Sequence, residues 1–152
     1  MWTATLCYPR RGSEVLLIYK RRGFGAGKYN GVGGKIEPNE DMWTGVKREV
    51  KEEVGLELLQ VTYKGVLEFY AEEDVPDIIV HVFTSTRFRG DPKPSEEAIP
   101  QWFKIDKLPF DLMWEDDKIW LPHVLAGKTV YGRFWFKKDY SKMLSYKLDV
   151  YQ

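Results

Sequence analysis

Four glutamates stand close together in the second quarter of the chain: Glu40, Glu49, Glu52 and Glu53. If the segment from residue 42 onwards is helical, the last three occupy positions i, i+3 and i+4 and project from one side of the helix. Like charges one turn apart, such as Glu49 and Glu53, destabilise a solvated helix by roughly 0.2–0.5 kcal/mol. Carboxylate oxygens are the ligands that Mg²⁺ and Mn²⁺ prefer. The spacing therefore predicts a divalent-metal site that acts on a phosphate-containing substrate.

The same helix has one apolar stripe, which consists of Met42, Val46, Val50 and Val54. At about 100° per residue, Glu53 lies only about 20° from Val46, inside the edge of this stripe. A carboxylate in that position needs a compensating metal ion or arginine. The alternative interpretation is an ordinary charged surface helix, in which Arg48 pairs with Glu52 and neighbouring lysines neutralise the remaining charge. The helix taken alone leaves both interpretations open.

A longer pattern surrounds these glutamates. Gly34 is followed after five residues by Glu40, and after seven more by the sequence REVKEEVGL at residues 48–56. This run resembles the Nudix box of nucleoside diphosphate-X hydrolases at every defined position. We expect Gly34 to permit a tight loop and Gly55 to end the helix in a left-handed cap. Arg48 is expected to hold Glu40 or Glu52 in position. The resemblance implies that Mg²⁺, with Mn²⁺ as a substitute, is held by Glu49, Glu52, Glu53 and the carbonyl of Gly33.

Length and charge restrict the class of protein. The 152 residues suit a single domain, residues 1–152, because no linker, repeat or low-complexity run divides them. Lysine and arginine total 23 and aspartate and glutamate total 23, so no basic field favours polymeric nucleic acid. No segment resembles a membrane span. The single cysteine, Cys7, excludes an internal disulfide and suits a reducing compartment. We expect a cytoplasmic monomer that binds a small-molecule nucleotide and no membrane.

The pattern of apolar residues predicts an α/β protein. Two strands, Trp2–Tyr8 and Glu14–Lys20, are expected to form a hairpin through a turn at residues 9–12. A second helix is predicted over Asp116–Leu125. Five further strands are predicted: Leu58–Tyr70, Ile78–Phe88, Trp102–Ile105, Val130–Phe136 and Leu144–Val150. The resemblance implies their arrangement, which is the Nudix fold with a mixed β-sheet sandwiched between helices (α/β/α).

Residues 22–35 read RGFGAGKYNGVGGK and contain six glycines. A P-loop is excluded because neither Gly-Lys pair is followed by Ser or Thr, and no Gly-x-Gly-x-x-Gly is present. The glycines can simply supply turn conformations. The segment nevertheless resembles the loop before the Nudix box in the MutT-homologue oxidized purine nucleoside triphosphatases. The sequence LPFDLMWEDD at residues 108–117, the Val80–Phe83 segment and the Gly132-x-Phe134-x-Phe136 strand strengthen this resemblance, which covers essentially the whole chain.

The resemblance to this subfamily assigns a purine pocket. Trp114 is expected to stack on the base, and Asp116, Asp117 and Asn30 to bind its edge. The alternatives are core packing for Trp114 and helix capping for the two aspartates. A more remote metal ligand is implied at Glu97, although Glu96 is one alignment step away. The other residues implied to contact the nucleotide are Thr5, Lys20, Phe24, Gly33 and Lys35.

The available side chains also restrict the mechanism. No Ser/His/Asp or Cys/His set is present for a covalent intermediate, and the isolated His81 and His123 do not suggest a zinc site. Water is therefore the expected nucleophile, activated by metal ions and by Glu53 or Glu97. The resemblance implies hydrolysis of 8-oxo-dGTP or 2-oxo-dATP to the monophosphate and pyrophosphate, which would sanitise the nucleotide pool and avoid DNA damage. The alternatives are a Nudix hydrolase of another nucleoside diphosphate derivative and a catalytically silent regulatory module.

Overall fold

The computed structural model describes residues 1–152 and contains eleven strands and two α-helices. The strands are β1 (Trp2–Arg11), β2 (Glu14–Lys20), β3 (Tyr29–Asn30), β4 (Val32–Lys35), β5 (Glu57–Leu58), β6 (Thr62–Ala71), β7 (Ile78–Ser85), β8 (Phe88–Arg89), β9 (Ala98–Lys104), β10 (Thr129–Phe136) and β11 (Met143–Tyr151). The helices are α1 (Met42–Val54) and α2 (Asp117–Leu125). Neither helix is long and apolar enough to cross a lipid bilayer.

Nine strands form one mixed sheet in the order β11-β10-β6-β7-β1-β2-β3, with β4 beside β1 and β9 beside β2. β1 runs parallel to β7, and β6 runs parallel to β10. Parallel neighbours need long crossover connections. The chain between β1 and β7 contains α1, and the chain between β6 and β10 contains α2. β5 and β8 form a separate antiparallel ribbon.

Each helix covers its own apolar cluster against the sheet. The valines of α1 pack with Cys7, Val32 and Phe83, all of which are fully buried. On α2, the buried Trp120 packs in a second cluster that includes Leu67 and Phe134. Because one helix covers each cluster, the architecture is the expected α/β/α sandwich. Burying apolar side chains of this size contributes about 1.5–3 kcal/mol each, which is why the helices are held against the sheet.

The division of β1 between two partners matters most for the site. Near its end, Arg10 pairs with Val15 of β2, whereas the earlier residues pair with the short strand β4. In this register Thr5 lies opposite Gly34, and Leu6 lies opposite Gly33. Part of the glycine-rich segment is therefore a strand that pairs with β1 and lies beside α1. The glycines therefore do not simply supply turn conformations, since residues 29–30 and 32–35 are strands for which β1 and β2 provide hydrogen-bonding edges.

Several predicted strand boundaries also differ. The segments Leu58–Tyr70 and Ile78–Phe88 each divide into a short and a long strand. The reason is local: Ser85 Oγ donates to the Gln60 carbonyl, and the Thr86 N–H donates to the Gln60 side chain at 3.0 Å. The strand predicted at Trp102–Ile105 begins earlier, at Ala98, because β9 pairs with β2 along its whole length.

At the first hairpin, the predicted turn at residues 9–12 is too long. β1 continues to Arg11, and the turn contains only Gly12 and Ser13. Pro9 still pairs with Ser85 of β7, which keeps this end of β1 extended. By contrast, the predicted β2 agrees with the structure, and α2 begins one residue later than predicted.

Candidate active site

α1 presents its glutamates in a defined orientation because both of its ends are capped. Asp41 accepts a hydrogen bond of 2.7 Å from the Thr44 N–H at the start. At the other end Gly55 adopts a left-handed conformation, with φ of 77°, and donates to the Lys51 carbonyl. Buried Val46 and Val50 hold the helix against the sheet. The expected glycine cap is therefore present, and the helix is fixed in both position and rotation.

Arg48 connects the carboxylates of the box. Its guanidinium donates to both oxygens of Glu40 at 2.7 and 2.9 Å, to Glu49 at 2.9 Å and to Glu52 at 3.2 Å. It also donates to the Lys35 carbonyl at 3.1 Å, which ties α1 to the end of β4. Hydrogen bonds from Arg48 lower the pKa of Glu40 to about 2. The expected contacts of Arg48 with Glu40 and Glu52 are both present.

Gly34 is required for a different reason from the one we expected. The backbone φ of Gly34 is not positive, so no left-handed turn requires glycine at this position. A Cβ at Gly34 would lie only 2.6 Å from Cδ of Glu49. A Cβ at Gly33 would collide with the Thr5 carbonyl oxygen. Glycine at position 34 lets the Glu49 carboxylate lie directly against the backbone of β4, and glycine at position 33 lets β4 lie close to the backbone of β1.

Glu53 is a buried carboxylate without a hydrogen-bond partner for Oε2. Its relative exposure is 9%, and burial raises its pKa to about 7, against the opposing influence of the Lys20 charge. The negative charges of Glu49 and Glu97 raise it further. No arginine forms an ion pair with Glu53, so the compensation required by its position does not come from Arg48. Such an unpartnered buried oxygen is suited to a cation.

The structure distinguishes Glu97 from its neighbour Glu96. Arg22 binds both, at 2.9 Å to Glu97 and 3.1 Å to Glu96, and the hydrogen bond from Arg22 lowers the pKa of Glu97. Glu97 lines a cavity of about 660 Å³ that Glu49 and Glu53 also line. Glu96 does not line it, and the side chain of Glu96 is 86% exposed. Of the two glutamates considered as the remote metal ligand, the predicted one, Glu97, is therefore the one that lines the cavity.

The acidic side chains do not converge as a ready-made metal site. No group of three or more His, Cys, Asp or Glu residues is arranged to hold an ion, because Arg48 engages Glu49 and Arg22 engages Glu97. The chemistry of the donors still fits a divalent cation, since all are hard oxygen ligands and Glu53 Oε2 is unpartnered. Binding would require Glu49 and Glu97 to exchange an arginine contact for the ion.

A cavity of about 660 Å³ joins this acidic region to an aromatic one. It brings together twelve of the fourteen residues predicted for the site: Thr5, Lys20, Phe24, Asn30, Gly33, Lys35, Glu49, Glu53, Glu97, Trp114, Asp116 and Asp117. The other two, Arg48 and Glu52, do not line it. Glu52 lies on the outer side of α1, with 60% of its side chain exposed, and reaches the site only through Arg48.

Two consecutive carboxyls stand at the aromatic end, and each is only 2% exposed. Asp116 Oδ2 accepts a hydrogen bond of 2.8 Å from Nε1 of Trp120, whereas Asp117 Oδ2 has no partner. Burial raises the pKa of Asp116 to about 6. It raises the pKa of Asp117 well above its usual range, and the charge of Asp116 adds to this effect. Asp116 occupies the N-cap position of α2 but its side chain caps nothing, which argues against capping as its role.

Trp114 forms one wall of this end and is not simply a core residue. Phe24 stacks on its indole with ring centroids 5.1 Å apart, and Lys28 Nζ lies 5.2 Å from the ring centroid. Nearby, the Gly31 N–H donates to Asn30 Oδ1 at 2.8 Å, and the Asn30 amide nitrogen makes no side-chain hydrogen bond. A planar aromatic ligand with a polar edge would find both a stacking surface and unpaired polar groups here.

Comparison with known proteins now decides the family. The model of the NUDIX domain matches residues 2–124, most of the chain. The chain belongs to the Nudix hydrolases. Its relatives include the oxidized purine nucleoside triphosphate hydrolases of Danio rerio, 41% identical over 147 residues, and of Mus musculus, 41% identical over 146. Each alignment covers 95% of this chain and 92% of the relative.

A solved structure supports the fold of this Nudix protein independently. The MutT mutator protein of Bacillus halodurans superposes with a TM-score of 0.87 at 31% identity, and the match covers 98% of both chains. The predicted family and fold are confirmed. Nudix hydrolases generally use divalent metal ions, which agrees with the donor set around Glu53.

Thirteen of the 25 cavity-lining residues of the Nudix protein were not predicted as site residues, and Asp77, Ile78, Phe136 and Tyr140 are among them. Ile78 and Phe136 were expected only as parts of predicted strands. Asp77 and Tyr140 carry no motif, and their positions 63 residues apart gave no indication that they meet. They contact each other only because the β6–β7 and β10–β11 connections lie at the same end of the sheet.

Proposed function

We propose that this Nudix protein hydrolyses oxidized purine nucleoside triphosphates to the monophosphate and pyrophosphate. One observation carries the proposal. A single cavity places an unpartnered buried carboxylate oxygen of Glu53 at one end and another, of Asp117, beside the indole of Trp114 at the other. The first suits the phosphate chain and the second the base. The names of the zebrafish and mouse relatives support this substrate class.

The base end can distinguish an oxidized purine by its hydrogen-bonding pattern. Oxidation at the 8-position converts the adjacent ring nitrogen from an acceptor to a donor. Asp117 Oδ2 is a buried acceptor without a partner, and Asn30 has a free amide nitrogen that can donate. Because Asp116 and Asp117 are adjacent and buried, they can share one proton. Moving that proton would suit 2-oxo-dATP as well as 8-oxo-dGTP.

At the phosphate end, Glu49, Glu53, Glu97 and the Gly33 carbonyl are the proposed ligands for Mg²⁺, with Mn²⁺ as a substitute. Glu52 is proposed as a further ligand, which would have to leave Arg48 and turn towards the cavity to reach the ion. A bound divalent cation neutralises the triphosphate and lowers the pKa of the attacking water. The ammonium groups of Lys20 and Lys35 also line the cavity and can bind phosphate oxygens.

Water is the proposed nucleophile, and Glu53 is the better placed of the two candidate bases. Glu53 is buried and its Oε2 is free, whereas Glu97 is held by Arg22. A base must reach the proton that it removes, and a free carboxylate oxygen facing the cavity can do so. Release of the monophosphate and pyrophosphate follows from direct displacement without a covalent intermediate.

The same proposal includes the cellular setting. The cavity is complete within one chain, which supports a monomer acting on a small-molecule nucleotide. Cys7 is buried and unpaired, which is compatible with the reducing cytoplasm. The role would be nucleotide-pool sanitation, which prevents incorporation of damaged bases into DNA.

A nucleotide screen tests the proposed function. Normal and oxidized purine triphosphates, a dinucleoside polyphosphate and a nucleotide sugar are incubated with Mg²⁺, and monophosphate and pyrophosphate are quantified. We expect the highest kcat/KM for an oxidized purine, label from ¹⁸O-water in a product, and loss of activity in EDTA. Equal kcat/KM for 8-oxo-dGTP and dGTP would leave only a general Nudix hydrolase. Absence of metal-dependent turnover for every compound would indicate a catalytically silent module.

A further inference from the structure

The turn between β10 and β11 holds an unusual tyrosine. Tyr140 has a φ of 62°, a left-handed conformation that bulky residues rarely adopt. The turn is closed by hydrogen bonds from the Lys137 N–H to the Lys142 carbonyl at 3.0 Å and from the Tyr140 N–H to the Lys137 carbonyl at 2.8 Å. These bonds involve only backbone and would accommodate glycine more easily. A strained tyrosine persists only where contacts of its side chain compensate.

Those contacts are with the aromatic end of the cavity. The Tyr140 ring meets Phe136 at 5.4 Å between centroids, Phe24 edge-on at 5.6 Å and Trp114 edge-on at 6.5 Å. Tyr140 itself lines the cavity. Phe24, Trp114 and Tyr140 therefore all contact one another. With Phe136, these rings form an aromatic cluster that lines the same cavity as Asp117.

The hydroxyl of Tyr140 anchors the ring across the cavity to another loop. It donates to Asp77 Oδ2 at 3.0 Å. Asp77 is itself fixed, because its N–H donates to the Phe69 carbonyl at 2.7 Å and its carbonyl accepts from the Trp2 N–H at 3.1 Å. The hairpin is also fastened on the other side, where the Met143 N–H donates to Glu115 at 3.0 Å. Glu115 directly follows Trp114, so the ring cannot retreat without disturbing the pocket wall.

From this geometry we infer that Tyr140, latched to Asp77, is a specificity-determining end wall of the base pocket. It limits how far a purine can extend along the Trp114 indole, and it excludes bases with a bulky group on the edge that faces it. The inference rests on the proposed function only in assigning the aromatic end to the base. The ring provides the steric limit, and the hydroxyl keeps the ring in place.

Two variants separate the ring from its hydrogen bond. Tyr140→Gly removes the wall and suits the left-handed turn, so the hairpin should be retained. Tyr140→Phe keeps the wall and removes only the bond to Asp77. The matched control is Tyr146→Ala, which removes another ring from the same hairpin. Tyr146 is 49% exposed, stacks on Phe134 and does not line the cavity.

The experiment measures kcat and KM for dGTP and for purine triphosphates that carry a benzylamino group at position 2, 6 or 8. For one or two of these analogues, Tyr140→Gly should raise the ratio of kcat/KM for the analogue to kcat/KM for dGTP by at least about tenfold. This is the scale of a steric contact in a pocket. Tyr140→Phe keeps the ring but frees it from Asp77, so it should relax the exclusion by less than Tyr140→Gly does and raise the KM for dGTP with kcat little changed. Tyr146→Ala should match the wild type.

Three results would overturn the inference. The first is a wild-type protein that accepts all three bulky analogues as well as dGTP. The second is a Tyr140→Gly variant that changes kcat/KM for every nucleotide by the same factor, although thermal unfolding and circular dichroism show that it is folded. The third is a Tyr140→Phe variant that relaxes the exclusion of the bulky analogues as much as Tyr140→Gly does.

The test also separates this inference from the proposed function. Failure of the wild type to prefer 8-oxo-dGTP over dGTP would refute the proposed substrate, yet size exclusion could still be measured with dGTP and the benzylamino analogues. Conversely, a retained preference for 8-oxo-dGTP with unchanged size exclusion in Tyr140→Gly would refute only the end wall.

Discussion

Trp120 Nε1 donates a hydrogen bond of 2.8 Å to Asp116 Oδ2, and this contact makes two adjacent carboxyls unequal. Asp116 is satisfied by a fully buried indole, whereas Asp117 Oδ2 is equally buried and has no partner. An unsatisfied buried acceptor costs about 1–3 kcal/mol, so a ligand that supplies a donor recovers this free energy. The pair therefore consists of one carboxyl fixed by the protein and one available to a base.

The first prediction concerns substrate preference. Asp117→Ala removes the free acceptor, so the preference for 8-oxo-dGTP over dGTP should disappear, a loss of about 1–3 kcal/mol or tenfold to a hundredfold. Trp114→Ala should instead weaken all purine triphosphates together, because stacking does not depend on the polar edge. The kcat/KM values for both nucleotides measure this difference. A preference retained in Asp117→Ala would show that another group recognises the oxidized edge.

The second prediction is a dependence of stability on pH. Burial raises the folded-state pKa of Asp116 to about 6 and that of Asp117 well above its usual range, so the folded protein binds protons more tightly than the unfolded chain. The stabilisation is complete below the unfolded pKa of about 4 and is lost as pH rises through the folded values. Asp117→Asn removes an ionisable group, so its stability relative to the wild type should increase between pH 4 and pH 8.

Urea unfolding at pH 4, 6 and 8 measures this effect, and the stability of Asp117→Asn relative to the wild type should increase from each pH to the next. Glu53 also has a raised pKa and gives both proteins a pH dependence of stability with the same sign. Only the difference in stability between Asp117→Asn and the wild type therefore reports on Asp117. A constant difference at all three pH values would contradict the raised pKa of Asp117.

The third prediction concerns Glu53. Glu53→Gln should lower kcat by about a hundredfold or more, the scale for loss of a positioned base or metal ligand. Stability at neutral pH should not decrease, because the substitution removes a buried, unpaired charge. Glu57→Gln, at an exposed site that pairs only with Arg89, is the control and should leave kcat unchanged. Near-normal turnover of Glu53→Gln at saturating Mg²⁺ would make Glu53 a structural residue.

The fourth prediction concerns Gly34. Gly34→Ala places a Cβ about 2.6 Å from the Glu49 carboxyl carbon, so the carboxylate must move. We expect roughly a hundredfold loss of kcat with the fold retained, because a small misplacement of a catalytic group has effects of this size. Glu49→Gln should cause a loss that is not additive with that of Gly34→Ala. Additive losses would mean that Gly34 acts independently of Glu49.

The sequence by itself predicted the box helix and its immediate chemistry. The spacing of Glu49, Glu52 and Glu53, the left-handed cap at Gly55 and the pairing of Arg48 with Glu40 depend on residues near one another in the chain. Helical periodicity and capping are local properties, so they can be inferred without the fold. The base pocket around Trp114, Asp116 and Asp117 came from family resemblance, since spacing alone could not place it in a cavity.

Only the tertiary structure decided which long-range contacts complete the site. Gly34 is glycine because α1 brings Glu49 against β4, and Glu52 lies outside the cavity because of the rotation of α1. Tyr140 and Asp77 meet only because β6, β7, β10 and β11 belong to one sheet whose loops share an end. Contacts between distant segments depend on sheet order and register, and local propensity contains no information about either.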